Sequence, residues 1–266
     1  MSDILPLNKL TPPLKWAGGK RWLLPRLKSI VAGIKYNRLV EPFAGGLAIS
    51  LGLLPRYALL NDINPHLINF YENVKKNRII RGDFRNERNF YLRARDELNL
   101  LIRFGMAASR RAAELFYYLN RTGFNGLCRF NAKGEFNVPF GRYQKINYQK
   151  DFSKYSKIFR RWEFVSRDFA ELKIKKGDLL YVDPPYDTEF TRYAQSDFGW
   201  RDQLRLVEWL KRQTAPMIVS NQATKRVLKL YREAGFQITI IKAPRRISAN
   251  GDRPFVREML ATMNIY

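Results

Sequence analysis

Residues 179–186 have the sequence Leu-Leu-Tyr-Val-Asp-Pro-Pro-Tyr, an apolar run that stops at an acidic residue, two prolines and an aromatic residue. A short apolar run of this kind is typical of a fully buried strand. Consecutive prolines cannot donate hydrogen bonds to a neighbouring strand, so the strand must end at this point. Open α/β sheets bind their ligands at the carboxyl ends of such strands. The stretch therefore predicts an α/β sheet with a catalytic or ligand-binding loop at residues 183–186.

The chemistry of this loop suits a planar amine. The Asp183 carboxylate and the carbonyls of Asp183 and Pro184 only accept hydrogen bonds, which is what an NH2 group requires. Tyr186 adds a flat face on which a planar base can stack. The plain alternative is a strand-ending turn, formed by Pro184 and Pro185, in which Asp183 caps a helix.

Seven stretches have strand character, and helical patterns lie between several of them. The expected strands are residues 38–41, 57–60, 163–166, 178–182, 216–220, 237–241 and 258–263. Three helices are expected. One begins at Leu47, one contains the apolar stripe Leu204, Val207 and Leu210, and one contains the stripe Val227, Leu230, Tyr231 and Ala234 and ends at Gly235. This alternation predicts a doubly wound, seven-stranded Rossmann-like α/β sheet.

Residues 66–150 interrupt this alternation, so we expect an inserted domain there, with residues 1–65 and 151–266 forming the other domain. The insertion is expected to be mainly helical, with a stripe at Ala112, Leu115, Phe116 and Leu119. The turn sequence Ala132-Lys133-Gly134 between two polar-aromatic stretches predicts a β-hairpin.

Charge indicates the partner of this insertion. The chain has 48 Lys and Arg against 24 Asp and Glu, a formal charge of +24, which favours a polyanion. Basic residues of the insertion alternate with the aromatic residues Phe116, Tyr117, Tyr118, Phe124, Phe130 and Tyr143. Basic side chains can contact phosphates, and aromatic ones can stack on bases, so we expect nucleic-acid binding. The alternative is a helical lid whose aromatic residues form a core.

Cysteine and histidine are nearly absent. Cys128 alone cannot form an internal disulfide, and His66 alone cannot build the usual zinc sites, so we expect no metal. No run of apolar residues reaches the length of a membrane span. These features predict a soluble cytoplasmic protein without a membrane partner.

Three turns suit a nucleoside cofactor. Phe43-Ala44-Gly45-Gly46 follows one expected strand, and Asp62 ends the next, where an acidic residue can accept hydrogen bonds from ribose hydroxyls. Trp16 and Lys20 flank another glycine turn. The alternatives are a tight turn at Gly45, a helix cap at Asp62 and a core role for Trp16.

Six motifs occur along the chain: Leu-Lys-Trp-Ala-Gly-Gly-Lys (14–20), Glu-Pro-Phe-Ala-Gly-Gly (41–46), Asn-Asp-Ile-Asn (61–64), Asn-Gly-Leu-Cys-Arg-Phe-Asn (125–131), Gly-Glu-Phe-Asn-Val-Pro-Phe-Gly-Arg-Tyr (134–143) and Asp-Pro-Pro-Tyr (183–186). In order and in spacing, these motifs make the chain similar to the DNA adenine methylase family. The family consists of S-adenosylmethionine-dependent N6-adenine DNA methyltransferases of the D12 class, and the resemblance covers essentially the full length.

The resemblance implies roles for particular residues. Cofactor contacts are implied for Trp16, Lys20, Asp62, Asp168, Phe169 and Asp183; DNA contacts are implied for Lys15, Asn125, Leu127, Arg129, Pro139 and Tyr143. Phe124 belongs to the same DNA-contacting set and stands where some relatives carry tyrosine. The segment 187–197 is short and charged compared with the Ser/Thr-rich loop usual in the family.

The resemblance also implies a target and a mechanism. The family methylates GATC in duplex DNA, with an arginine that matches Arg129 on a guanine and apolar surface at Leu127 and Pro139 for a thymine methyl. The adenine is expected to flip into a pocket where Asp183, the Pro184 carbonyl and Tyr186 hold it, while residues 245–251 clamp phosphates.

Other readings of the sequence stay open at this point. They are a methyltransferase acting on RNA or another planar amine, and an inactive DNA-binding relative. The chain is expected to be a monomer or weak dimer on DNA, in a bacterial or phage-infected cell. Repair and replication, restriction–modification and phage roles are all compatible with the sequence.

Overall fold

The computed structural model describes residues 10–78, 84–187, 198–243 and 256–265. Its strands are β1 (Arg38–Glu41), β2 (Ala58–Asn61), β3 (Trp162–Val165), β4 (Asp178–Val182), β5 (Met217–Gln222), β6 (Gln237–Ala243) and β7 (Val256–Met263). Its helices are α1 (Leu24–Val31), α2 (Ser50–Leu53), α3 (Pro65–Lys75), α4 (Arg88–Arg103), α5 (Arg110–Thr122), α6 (Ser153–Phe159), α7 (Trp200–Lys211) and α8 (Lys225–Glu233). Short 3-10 helices lie at Arg21–Leu23, Phe124–Gly126 and Phe169–Glu171.

The seven strands form one sheet in the order β3-β2-β1-β4-β5-β7-β6. β1 to β5 are parallel, and every residue of β2 and β4 is buried, as expected for strands covered on both faces. The chain winds outward from β1 in one direction and from β4 in the other, so their carboxyl ends meet at the switch point of the sheet. The predicted doubly wound seven-stranded sheet is confirmed.

β7 runs antiparallel to both of its neighbours, β5 and β6. Its first residues therefore lie at the edge of the sheet where the parallel strands end, and Glu258 pairs with Gln222, the last residue of β5.

Alternating side chains of the sheet enter two different cores. Along β4, Leu179 and Tyr181 pack in the core that includes α3, whereas Leu180 and Val182 pack in the core that includes α7 and α8. Leu204 was expected on the buried stripe of α7, but 41% of its surface is exposed. Repeated three-residue steps drift around a helix of 3.6 residues per turn, and the buried face is instead centred on Leu206, Val207 and Leu210.

The segment after β1 also differs from the expectation. The helix predicted from Leu47 begins at Ser50, because Leu47 has a φ of 60°, a left-handed conformation that a helix cannot include. The loop between β1 and α2 is consequently longer at the edge of the sheet.

The inserted segment contains α4, α5 and the predicted turn. Asn131 N–H donates to the Glu135 carbonyl at 2.9 Å, and Gly134 has a φ of 75°, so the chain reverses there as expected. Its pairing is a single bridge between Phe130 and Phe136, without longer strands. α3 packs into the same core as the sheet through Leu67, Phe70 and Tyr71, and the division at residue 66 stays a prediction.

The structure corrects the expected role of three aromatic residues. Phe116, Tyr117 and Tyr118 are fully buried, because α5 packs between α3 and α4. They form the core named above as the alternative and are not available to stack on bases. Phe124, which follows α5, is 48% exposed.

Candidate active site

A cavity of about 780 Å³ opens at the switch point of the sheet. It is lined by the Asp183–Tyr186 loop, by the glycine turns that contain Trp16 and Gly45, and by Asp62. The predicted cofactor residues Lys20 and Phe43 also line it. The structure thus brings the catalytic loop and the three candidate cofactor turns to one site.

Asp183 lies directly after β4, and its two carboxylate oxygens differ. Oδ1 accepts a hydrogen bond from Ser220 Oγ at 2.8 Å and lies 3.3 Å from Lys20 Nζ. Tyr181 and Ser220 are joined by a hydrogen bond between their hydroxyls at 2.8 Å, which fixes the serine. Both of these contacts are made by Oδ1, which leaves Oδ2 as the oxygen that can accept from a ligand. Burial raises the pKa of Asp183, and Lys20 opposes that rise.

Tyr186 is held by its hydroxyl group. Lys20 Nζ donates to the hydroxyl oxygen at 2.5 Å, and the hydroxyl donates to Glu258 Oε1 at 2.5 Å. The loop is fixed further by Gln203 Nε2, which donates to the Pro185 carbonyl at 3.0 Å. Within the loop, Pro184 is buried and Pro185 is exposed.

Lys20 is only 3% exposed and contacts three acidic groups. Burial lowers the pKa of Lys20, but Asp183, Tyr186 and Glu258 outweigh burial and raise the pKa above its usual value. Lys20 is therefore charged, and it pairs with the carboxylates of both Asp183 and Glu258.

Asp62 organises the glycine turn after β1. Its Oδ2 accepts from Gly45 N–H and its Oδ1 from Asn64 N–H, both at 3.0 Å. Burial raises the pKa of Asp62, and these two hydrogen bonds oppose the rise. The cap of α3 is Asn64, which accepts from His66 N–H and from the next amide, so the helix-cap alternative for Asp62 is wrong.

Trp16 lies directly against the glycine turn. A Cβ atom at Gly45 would come within 2.7 Å of Trp16 Nε1, and one at Gly46 within 2.8 Å of Trp16 Cβ. Glycine is required at both positions if the indole is to form this wall of the cavity.

Two of the residues expected at the cofactor do not line the cavity. Asp168 makes a bidentate ion pair with Arg205, with both N–O distances at 2.8 Å. Phe169 packs in the core behind Phe43, with ring centres 5.6 Å apart, and of these two only Phe43 reaches the cavity wall. Any effect of Phe169 on a ligand would pass through Phe43 or Phe198, which both line the cavity.

The sequence analysis missed Glu41, Ser220 and Glu258. Glu41 ends β1, lines the cavity and is 2% exposed; burial raises its pKa to about 8. The argument that selected Asp183 applies equally to an acidic residue before a proline at the end of β1. Ser220 and Glu258 carry no comparable signal, because each lies inside a strand.

Of the residues predicted to contact DNA, one lines the cavity and several are exposed. Leu127 lines it, and Phe124, Asn125 and Pro139 are exposed. Lys15 Nζ lies 3.6 Å from the ring centre of Tyr143. A Cβ atom at Gly126 would come within 2.2 Å of Lys15 Cβ, so the 3-10 turn at Phe124–Gly126 sits directly on the lysine stem.

Arg129 is held in one orientation by the hairpin. Its Nε donates to Asn137 Oδ1 at 2.7 Å and its Nη2 to the Asn137 carbonyl at 3.0 Å. These two contacts fix the plane of the guanidinium.

Residues 127–130 also touch the turn that contains Asp62. Asn64 Nδ2 donates to Cys128 Sγ at 3.3 Å, and the His66 ring stacks on Phe130 with centres 4.6 Å apart. Burial lowers the pKa of His66 to about 4, so this imidazole is neutral near pH 7. Both Cys128 and His66 line the cavity.

Within the described ranges, no group of three or more His, Cys, Asp or Glu side chains is placed to hold a metal ion. In the same part of the chain, no helix is both long and apolar enough to cross a membrane.

Comparisons with known proteins identify the family of the chain. The family model for D12 class N6 adenine-specific DNA methyltransferases matches residues 16–247. A DNA adenine methylase of Haemophilus influenzae is 35% identical, with 97% of this chain and 96% of the relative covered. A type II methyltransferase of Lactococcus lactis subsp. cremoris is 34% identical, with 98% of each chain covered.

Among solved structures, a precorrin-6y C5,15-methyltransferase of Geobacter metallireducens superposes with a TM-score of 0.41 at 8% identity, over 97% of this chain and 98% of that one. Because the family model spans most of the sequence and relatives above 30% identity cover nearly all of it, the chain belongs to the D12 class of N6 adenine-specific DNA methyltransferases.

Proposed function

We propose that this adenine-specific DNA methyltransferase acts at GATC in duplex DNA, on an adenine that has left the base stack. The observation that carries the proposal is the shared cavity. The Asp183–Tyr186 loop, the turns at Gly45 and Asp62, and Leu127 all line it. A base attached to DNA at the mouth and a cofactor within could therefore meet at Asp183.

The cavity wall fits the cofactor of this class, S-adenosylmethionine. Three carboxylates line it, those of Glu41, Asp62 and Asp183, although the chain as a whole carries a charge of +24. Burial leaves Glu41 protonated near neutral pH in the free protein, and a positively charged ligand would favour the ionised forms of all three side chains. When bound, S-adenosylmethionine supplies an electrophilic methyl group on a positively charged sulfur.

Separate residues would hold the separate parts of that molecule. Trp16 offers an indole face for a purine, and Asp62 is an acceptor for ribose hydroxyls. Glu41 and Asp183 are the acidic groups nearest the switch point, where they would attract the positive end.

The protein's part in methyl transfer is then to hold the amine. Asp183 Oδ2 and the carbonyls of the loop accept hydrogen bonds from the N6 amino group, and Tyr186 stacks on the ring. An amine inside a duplex cannot reach this loop, so the nucleotide must rotate out of the helix. Rate enhancement arises from positioning and from exclusion of water.

We assign the choice of target sequence to Arg129, Leu127 and Pro139. Arg129, already oriented by Asn137, suits the bidentate contact to guanine O6 and N7 that is the commonest specific major-groove contact. Leu127 and Pro139 offer apolar surface for a thymine methyl group. The proposed phosphate clamp at residues 245–251, and most of the segment 187–197, lie outside the described residues.

A methylation-sensitive restriction digest tests the proposal. Wild-type protein with S-adenosylmethionine should protect GATC sites, and Asp183→Ala should abolish protection while still binding duplex DNA. Asp151→Ala, at an exposed carboxylate before α6, is the matched control and should protect normally. Protection by Asp183→Ala would refute the role of Asp183, and protection of a different sequence would refute GATC.

Methyl-transfer and binding assays with labelled S-adenosylmethionine distinguish the other interpretations. Transfer of a labelled methyl group to an RNA duplex but not to DNA would establish an RNA enzyme, and DNA binding without transfer would establish an inactive relative. The two-domain division, a monomer or weak dimer on DNA and a bacterial cytoplasmic setting stay predictions.

A further inference from the structure

Glu258 is a buried carboxylate that the proposed mechanism does not use. It is 5% exposed, and it accepts the hydroxyl hydrogen bond of Tyr186 on Oε1 at 2.5 Å. Both of its oxygens lie 3.3 Å from Lys20 Nζ. Burying a carboxylate is costly unless it is paired, so Glu258 needs the positive charge of Lys20 beside it.

The direction of β7 explains why a residue so late in the chain reaches the active site. Parallel strands deliver only the residues at their carboxyl ends to this edge of the sheet. Because β7 is antiparallel, its early residue Glu258 lies beside Gln222 at the end of β5. A side chain at this register comes up beneath the Asp183–Tyr186 loop.

The contacts with Tyr186 lie at the hydroxyl end of the ring. Lys20 Nζ is 2.5 Å from the hydroxyl oxygen and lies over the ring at 4.6 Å from its centre, so the ammonium covers part of one face at that end. Glu258 accepts from the hydroxyl group itself. A tyrosine held in this way keeps a fixed plane, and a base would stack on the face opposite Lys20.

Glu258 also limits how strongly the Lys20 ammonium pairs with Asp183. Lys20 lies between Glu258 and Asp183, at 3.3 Å from an oxygen of each. Without the Glu258 charge, the ammonium would be attracted to Asp183 alone, where it would compete with the substrate amine for the carboxylate.

We propose that Glu258 is a positioning residue for the target base: together with Lys20 it fixes the plane of the Tyr186 ring and keeps Asp183 free to accept the amine. The proposal rests on the function proposed above. It assigns to the antiparallel strand a part in catalysis without any contact between Glu258 and the substrate.

The test compares Glu258→Gln, Tyr186→Phe and the double variant in the full-length protein. Each single change should lower kcat by about 10-fold with the DNA Kd within about 2-fold of wild type, because only positioning is lost. If Glu258 acts through the Tyr186 hydroxyl, the double variant should be no slower than the slower single variant.

A spectroscopic measurement reports the stacking directly. A duplex carries 2-aminopurine at the position that wild-type protein methylates, with S-adenosylhomocysteine as the unreactive cofactor. The fluorescence of this base rises when it leaves the helix and falls when it stacks on a ring. Glu258→Gln and Tyr186→Phe should both give a brighter complex than wild type, since a loosely held ring stacks less.

Asp178→Asn is the matched control. Asp178 is equally buried in an ion pair, with Arg38, but lies at the opposite end of β4. It should lose stability without a change in fluorescence or in kcat at a temperature where it is folded. If Asp178→Asn lowered kcat as much as Glu258→Gln does, general destabilisation would explain both losses and the proposal would be overturned.

The remaining outcomes are also decisive. Multiplicative losses in the double variant, or wild-type fluorescence in Tyr186→Phe, would overturn the proposal even if Glu258→Gln failed to fold. A wild-type protein that methylates no adenine would instead refute the proposed function. Normal methylation by wild type and Glu258→Gln alike would refute only the positioning role.

Discussion

A methyl group at Gly45 would collide with the indole of Trp16, because a Cβ atom there lies 2.7 Å from Nε1. Gly45→Ala should therefore displace the wall of the cofactor cavity and weaken S-adenosylmethionine binding by at least about 10-fold, or 1.4 kcal/mol. Calorimetric titration with the cofactor measures this loss.

The control for Gly45→Ala is Gly105→Ala. Both glycines have a positive φ, of 46° and 72°, so both variants carry a backbone cost of about 1 kcal/mol, but nothing lies within 4 Å of a Cβ at Gly105. Equal cofactor affinity in the two variants would show that Trp16 does not need its present position.

Glu41 should make the stability of the protein depend on pH. Burial raises its pKa to about 8 in the folded chain from a usual value of 4.5, so the folded state holds a proton that the unfolded state has released. Stability is then lost as the pH rises from about 4.5 to 8 and is level above that range. Glu41→Gln removes the titration and should raise the free energy of unfolding at pH 8 by roughly 2 to 4 kcal/mol.

Urea unfolding of wild type and Glu41→Gln at pH 5 and pH 8 measures this difference, which should nearly vanish at pH 5. A difference that is the same at both pH values would mean that the carboxylate does not titrate in this range. The variant should also bind the cationic cofactor more weakly, since function and stability compete for this carboxylate.

At the scale of elements, α5 supports the segment that carries Trp16 and Lys20. Asn120 on α5 is fully buried; it accepts from Lys15 N–H at 2.9 Å and donates to the Lys15 carbonyl at 2.8 Å. Asn120→Ala leaves both backbone groups unpaired and should cost about 1 to 3 kcal/mol of stability. It should weaken cofactor binding as well, because residues 15–20 are released together.

Asn99→Ala is the matched control for Asn120→Ala. Asn99 on α4 satisfies both backbone groups of Phe136 in the same manner, at 2.7 Å and 3.1 Å, but holds the hairpin. It should cost similar stability and weaken DNA binding, with cofactor affinity retained. Urea unfolding and separate titrations with cofactor and DNA measure the three quantities, and a loss of cofactor affinity in both variants would contradict this division.

The elements also show how far the sequence determines the site. Asp183, Asp62 and Gly45 follow strands whose apolar patterns are evident, and because parallel strands end at one edge, their meeting could be predicted. The direction of β7 depends on pairing with β5 and β6, which is not local, so Glu258 could not be found. Nor does a list of aromatic residues distinguish the buried Tyr117 from the exposed Phe124, since burial depends on which helices flank α5.

At the scale of the whole molecule, charges of opposite sign are separated. The chain carries +24 overall, whereas the cavity wall holds the acidic side chains of Glu41, Asp62 and Asp183, and a bound cation would favour the ionised form of Glu41. The two ligands of a DNA methyltransferase also differ in sign, one a polyanion and the other a cation. Salt should therefore act on them unequally, because only the polyanion releases many counterions when it binds.

DNA affinity should fall by about 10³-fold or more between 50 and 200 mM salt if roughly six to ten phosphates are contacted, while cofactor affinity changes little.

Arg129→Ala should leave this salt dependence unchanged but reduce discrimination at one guanine by about 1 to 3 kcal/mol, because Asn137 holds its guanidinium for base contact. Lys133→Ala, at the exposed hairpin turn, is the control and should leave the discrimination intact. Fluorescence anisotropy at several salt concentrations, on target and single-substituted duplexes, measures both quantities. If Arg129→Ala instead lowered affinity equally on every duplex and reduced the salt slope by about 1, Arg129 would be a phosphate contact, and the specificity assigned to the hairpin would have to arise elsewhere.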